Sequence, residues 1–510
     1  MIDKINVNVN RQTPPAFTGG IDLLIKGIQQ CEKYPMLNVS VLDLSTAIVP
    51  RTVMETYVGT KKENQKREPN IYSGMEAFRR ESSGLIVNCL IPSFVVLGAG
   101  KILQKPVMGS FSKSNMAGTW AGGEMLEKIH HYYKNAQGTG NEKTVDAMCK
   151  QFLDMEGLDG HRIIKFKEVL DPGVLKEKVG KLLNSPSKAT RNGLNDYIVG
   201  KTHAAENIRY VGDKKFTSYN LRSYINDGSK VLNNVTKANV AEGQLEKFFK
   251  QSKRLVNTKS IAGLVLVGAL AVSMQPLNRW ITRKTSGKEG FPGYNDFKDK
   301  KHKELTQREK AELLGQKFVS IGSMIGVALL SMMKIPNASM FQFKGLFPTM
   351  DQARLISTTT FASRMASSED KIELRESTLR DIATFCSFYF LGDYVAKGIA
   401  TYMERRNPDR QLINYHESYH KSVKQGANMV EKFWNWAKHT SLKSSDELAH
   451  ADKRLRTICQ LGNMAFSLAA LGIFIPYYTR THTHKKHQEE LAMEQMQGAK
   501  KNIQEFLNKK

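Results

Sequence analysis

Cysteine is scarce in this chain of 510 residues: Cys31, Cys89, Cys149, Cys386 and Cys459 are the full set. The number is odd, no CxxC occurs, and three of the five sit in apolar runs, where a thiol behaves as a small hydrophobe. No disulfide framework is expected. Acidic residues are also short: 49 Asp and Glu stand against 75 Lys and Arg, a formal net charge of +26. That excess is spread over nearly every loop and attracts anionic surfaces. There is no nucleic-acid-binding module and no basic stripe interleaved with aromatics. The expected partners are therefore a lipid bilayer and its anionic phospholipid headgroups, with no specific nucleic acid. The N-terminal segment Met1–Asn10 lacks an apolar stretch, so no cleavable signal peptide is expected and an internal helix would direct insertion. GxSxG, a paired glycosidase-like carboxylate site and a dinucleotide fingerprint are missing too. Val199-Gly200-Lys201-Thr202 ends like a phosphate loop, but Asn195 stands where that loop needs glycine.

What the chain does have is greasy runs. The mean hydropathy is negative only because long charged segments dilute them. Ser82–Gly100 is uncharged over about 19 residues, near the length that crosses hydrocarbon. Arg79, Arg80 and Lys101 bracket it, and Pro92 beside Asn88 is expected to kink it. Ser260–Asn278 ends in Arg279 and Trp280, a pair suited to the headgroup boundary. Phe318–Met333 is shorter and carries Gly322 and Gly326 in GxxxG spacing, which lets helix backbones approach closely. Ile382–Met403 is interrupted by Asp393 and Lys397, and Thr457–Thr479 is the last run. Capping-box spacing at Asn239–Glu242, Thr306–Glu309 and Ser444–Glu447 marks expected helix starts.

These runs divide the chain. Residues 1–72 read as a polar leader with a short amphipathic helix and 73–103 as the first transmembrane helix. A helical soluble insert follows over 104–250, with helices expected over Glu124–Asn135, Glu142–Met155 and Arg162–Leu183. The second transmembrane helix falls in 251–281. Residues 282–334 hold a charged loop and the third, and 335–403 a linker and the fourth. A polar helical loop spans 404–443, the fifth transmembrane helix 444–479, and a basic helical tail 480–510.

Two of the runs echo each other. Lys253-Arg254-Leu255 precedes Pro276 as Lys453-Arg454-Leu455 precedes Pro476, with no gap. Arg80-Glu81-Ser82 and Arg375-Glu376-Ser377 precede the first and fourth runs, and Leu97-Gly98 and Leu391-Gly392 follow. With one helix between the copies, a duplicated hairpin would enter the membrane in opposite senses, as in transporters whose sites lie at the repeat interface. Composition alone also makes flanked apolar helices look alike.

Two constellations carry chemistry. Asp393 and Lys397 lie i,i+4 on one helix face, and ionisable groups inside a membrane segment tend to be functional. Together with Pro92 and Asn88 they form a candidate substrate or ion pathway. His416-Glu417-Ser418-Tyr419-His420 matches HExxH and resembles zinc metallopeptidases over these five residues. The resemblance implies His416 and His420 as zinc ligands, Glu417 as general base, and Glu447 or His450 as a further ligand. Lys421, where zincins generally carry an uncharged residue, departs from that pattern. No cofactor is otherwise expected.

The fold class that follows is all-α: an integral membrane protein, expected in the cytoplasmic membrane, with about five transmembrane helices, a possible inverted duplication and homo-oligomers through the GxxxG face. Three functions are compatible with it: a transport or channel-like role, a non-catalytic membrane scaffold binding anionic lipid or a protein, and a membrane-tethered zinc hydrolase.

Overall fold

In the computed structural model the described residues are 27–29, 31, 34–58, 61–63, 66–159, 162–205, 208–213, 220–286, 306–332, 338–416, 419, 427–445, 447–448, 450–479 and scattered positions over 481–500. The chain is overwhelmingly helical with little sheet, as the composition of its runs requires.

Outside the insert the helices come in two groups. The first holds α1 (Pro35–Leu42), α2 (Val49–Val58), α3 (Ile71–Leu85) and α4 (Ile91–Met108). Residues 35–58 are helical, and the helix of the first run starts at Ile71, capped by Asn70 accepting from the Ser73 amide. Then comes the insert: α5 (Gly123–Lys134), α6 (Gly140–Leu153), α7 (Pro172–Asn184), α8 (Lys188–Thr202) and α9 (Leu221–Lys237). α10 (Leu245–Ser286) and α11 (Gln307–Met332) follow, then a second group of α12 (Met350–Ala366), α13 (Lys371–Cys386) and α14 (Gly392–Arg406). α15 (Met429–His439) and α16 (His450–Ser467) complete the described helices.

Four π-helical segments interrupt these rods: Asp43–Ile48 between α1 and α2, Ile86–Leu90 between α3 and α4, Ser387–Leu391 between α13 and α14, and Leu468–Phe474 after α16. Three precede a proline, Pro50, Pro92 and Pro476. A proline ring clashes with the carbonyl four residues back and offers no N–H. One wide turn moves that carbonyl aside and keeps the helix continuous. The Ile91 amide, for example, donates to Ile86 O, five residues back. The kink expected at Pro92 is thus distributed over the turn before it.

Among the described residues, four helices are long and apolar enough to cross a membrane: Ile71–Phe111, Glu242–Thr285, Gln307–Met332 and Asp452–Thr479. No more than 39% of the apolar part of any of them is buried within the chain, which leaves most of each for lipid. This is compatible with an integral membrane protein. The expected fourth crossing, Ile382–Met403, is not among them. Asp393 and Lys397 break its apolar length.

Packing follows small residues. A Cβ at Gly263 on α10 would collide with Val96 on α4, and one at Gly462 on α16 with Ile399 on α14. α10 runs along α4 and α12, while the turn Leu468–Phe474 lies against Asp43–Ile48 and α2. α2 packs on α3, and α12 on α13. α11 lies outside, against α12 and α13. A Cβ at Gly322 or Gly326 would meet nothing within 4 Å, so among the described residues the GxxxG face packs on no other helix.

The insert has its own core, in which Phe152, Phe166, Ile198, Ile208, Leu221 and Phe248 are fully buried. It contains a three-stranded antiparallel sheet: Met155–Asp159 pairs with Arg162–Lys165 on one edge and Ile208–Tyr210 on the other. The helix expected over Arg162–Leu183 is therefore strand up to Lys165, and the long helix starts only at Pro172, after Asp171 caps it. Isoleucines at 163 and 164 favour the strand. Of the three capping boxes, Thr306–Glu309 forms as expected. Asn239 instead takes a left-handed backbone, and α10 starts at Leu245. Ser444 and Glu447 make a turn ahead of α16.

Candidate functional site: a polar cavity between the helix groups

All four π-helical segments line one cavity of about 70 Å³. A wide turn spends backbone hydrogen bonds and is often kept where a site is built. Asp43, Ala47 and Ile48 come from the first segment, Asn88 from the second, Phe388 and Tyr389 from the third and Leu471 from the fourth. The volume has room for roughly five waters.

Ion pairs surround it. Arg51 Nη1 on α2 meets Glu81 Oε1 on α3 at 3.1 Å. Arg364 Nη1 on α12 meets Asp381 Oδ1 on α13 at 2.7 Å. Arg364 also reaches across to Glu81 Oε2 at 3.5 Å, and Arg380 Nη1 lies 3.9 Å from Glu81 Oε1. Glu81 is thus shared by three guanidinium groups. Asp381 is 1% exposed, and its Oδ2 has no hydrogen-bond partner. Buried charges are costly unless paired, so this network fixes the relative seating of α2, α3, α12 and α13.

The opposite wall is neutral. Thr360 Oγ1 donates to Asn88 Oδ1 at 3.0 Å, Asn88 Nδ2 reaches Ser357 Oγ at 3.5 Å, and Ser357 shares a 2.6 Å bond with the Tyr389 hydroxyl. Asp43 lines the same cavity and, among the described residues, makes no ion pair within 4 Å.

Of the residues singled out in sequence, Asn88 lines the cavity, and Pro92 is buried just above it at the start of α4. Asp393 and Lys397 do not line it. They share an ion pair at 3.5 Å, but Asp393 is 60% exposed at its side chain while Lys397 is buried. Lys397 Nζ donates to Ala437 O at 3.1 Å and Thr440 O at 3.3 Å, the carbonyl end of α15, over the rings of Tyr394 and Trp436. A second buried lysine does the same for the large insert. Lys259 Nζ on α10 donates to Ala117 O at 2.8 Å and Thr119 O at 2.6 Å, over Trp120.

In the HExxH stretch, Glu417 and His420 lie outside the described residues, as does the side chain of His450. His416 follows the strand Ile413–Tyr415, and its amide donates to His439 O at 2.9 Å. Burial, then His439 and Lys397, lower its pKa. Glu447 accepts from Asn414 Nδ2 at 3.1 Å and from the Ala205 amide at 3.4 Å, tying this loop to the insert.

The residues that sequence reasoning missed are Asp43, Arg51, Glu81, Arg364, Arg380 and Asp381. Arg79 and Arg80 read as a flank of the first run, because nothing local says that the helix continues inward with its charges paired. The available signal was the recurrence of an Arg-carboxylate dipeptide, Arg80-Glu81 and Arg380-Asp381, on the approach to each run.

The site belongs to a helical chain whose four long apolar helices are compatible with a membrane protein. Comparison with protein-family models, with curated proteins and with solved structures finds no match for the chain.

Proposed function

We propose that this is a multi-pass membrane protein with a transport or channel-like role, whose pathway runs through the ion-paired cavity at the seam of two similar three-helix units. The first unit is residues 35–58, 71–108 and 245–286; the second is 350–366, 371–406 and 450–479. The observation that carries this is a matched pair of salt bridges. Arg51–Glu81 joins the first and second helices of one unit as Arg364–Asp381 joins those of the other.

The register supports it. Asn70 and Asp370 cap α3 and α13 through the amides of Ser73 and Glu373. Glu76, Arg80 and Glu81 then correspond to Glu376, Arg380 and Asp381 at a constant spacing of 300. That register replaces the one from Arg375-Glu376-Ser377. Contacts between units are reciprocal: the last helix of the first packs on the first helix of the second, and the converse holds. A site at such a seam is where a solute passes when one unit rocks against the other.

The test uses full-length protein with its native cysteines replaced, reconstituted in vesicles. A charged, membrane-impermeant thiol reagent is expected to label Ala47→Cys and Ser357→Cys but not Val96→Cys, which is fully buried. Labelling of neither cavity position from either side would end the pathway reading.

One observation favours the scaffold reading as a companion role. On α15, Met429, Val430, Phe433 and Trp434 form an exposed apolar face bordered by Lys432 and Lys438. A helix so divided lies in a headgroup layer, and Lys397 holds it beside α14. Trp434→Ala is expected to weaken binding of the full chain to anionic vesicles relative to neutral ones. Unchanged binding would remove α15 from the lipid contact. The unfilled Gly322–Gly326 face of α11 would seat a second copy of this chain.

A further inference from the structure

The cavity contains one acid that the ion-pair network does not use. Six charged side chains line it: Arg51, Arg364 and Arg380 against Asp43, Glu81 and Asp381. Glu81 and Asp381 are each held by guanidinium groups. Asp43 is held by none, although Arg51 stands two turns along the same rod. Its π-helical turn points it into the cavity, where the Tyr389–Ser357–Asn88–Thr360 chain supplies hydroxyl and amide groups that can accept or relay a hydrogen bond. The last face, Leu471, Ile475 and Pro476, is apolar and contributes no charge.

We propose that Asp43 is a reversible proton-binding site, exchanging its proton with water in the cavity, so that the ion class this protein handles is the proton. The inference rests on the pathway reading and names its ion. Charge balance explains why this acid and not another would titrate. With Asp43 ionised the lining carries three positive and three negative charges. Protonation leaves one guanidinium charge in excess, inside a wall that already neutralises the other two. Protonating Glu81 would break the Arg51 pair, and protonating Asp381 would break the close Arg364 pair, whereas protonating Asp43 breaks no ion pair among the described residues. The groups that set the balance face Asp43 from every element around it: Arg51 from α2, Glu81 from α3, Arg364 from α12, Arg380 and Asp381 from α13, and Tyr389 from the third π turn. The transfer itself is balanced: the carboxylate oxygen takes a proton from hydronium reaching the cavity, water is left behind, and release reverses the step.

Infrared difference spectroscopy of the full chain reads the acid directly. A protonated-carboxyl stretch is expected in the wild type below neutral pH, lost in Asp43→Asn and displaced but retained in Asp43→Glu. In D₂O the band should shift as O–H exchanges for O–D. No difference between wild type and Asp43→Asn at any pH overturns the proposal, as does a midpoint in the ordinary carboxylate range of about 4. A wild-type band that does not respond to D₂O overturns the exchange with cavity water. If Asp43→Asn does not fold, the D₂O shift and the Asp43→Glu displacement still decide. Because this measures the acid and not passage, a missing band beside labelled cavity cysteines removes the proton and leaves the pathway. A titrating band beside unlabelled cysteines does the reverse.

Discussion

Replacing Glu81 with glutamine removes one charge and keeps the shape. It leaves Arg51, Arg364 and Arg380, at 3.1, 3.5 and 3.9 Å, facing a neutral amide. Breaking a buried ion pair by removing one partner costs about 3–5 kcal/mol, since the other charge stays buried alone. Glu81 is 21% exposed at its side chain, so solvent relieves part of this and the lower end, about 3 kcal/mol, is expected. Asp381→Asn should cost more, toward about 5 kcal/mol, because that carboxylate is buried almost completely. Arg364 touches both carboxylates, so the double variant should fall short of the sum by about 1–3 kcal/mol. The assay is a denaturing-detergent titration of the purified chain, followed by tryptophan fluorescence. A loss under about 1 kcal/mol for Glu81→Gln, the level of a surface pair, would refute the network, and strict additivity would refute the shared Arg364.

Three further expectations follow from the structure. Lys259→Met leaves the carbonyls of Ala117 and Thr119 without a donor, and about 2–4 kcal/mol of lost stability is expected on denaturation, with Lys397→Met loosening α15 in the same way. Gly263→Val should drive α10 from Val96 and cost at least about 1–3 kcal/mol, whereas Gly322→Val, with open space around it, should be neutral in the monomer. Elemental analysis tests the zinc alternative: stoichiometric zinc lost in His416→Ala would support it, and metal-free protein of unchanged stability would end it.

The apolar runs were legible because a helix in lipid satisfies its own backbone and needs only length and uncharged side chains, which are local properties. The Thr306 helix start was legible for the same reason. Asp393 drew attention as an acid in an apolar run, yet its side chain is mostly exposed. The charges that matter sit at 43, 51, 81, 364, 380 and 381, in segments that looked like flanks or linkers. Their pairing depends on helices hundreds of residues apart meeting at four wide turns, and no window of sequence contains that distance. Local hydrophobicity and proline placement determined which segments are rods and where three of the four wide turns fall. Tertiary structure alone decided which charges face one another, because the worth of a charge is set by what lies within a few ångströms of it and not by its neighbours in the chain.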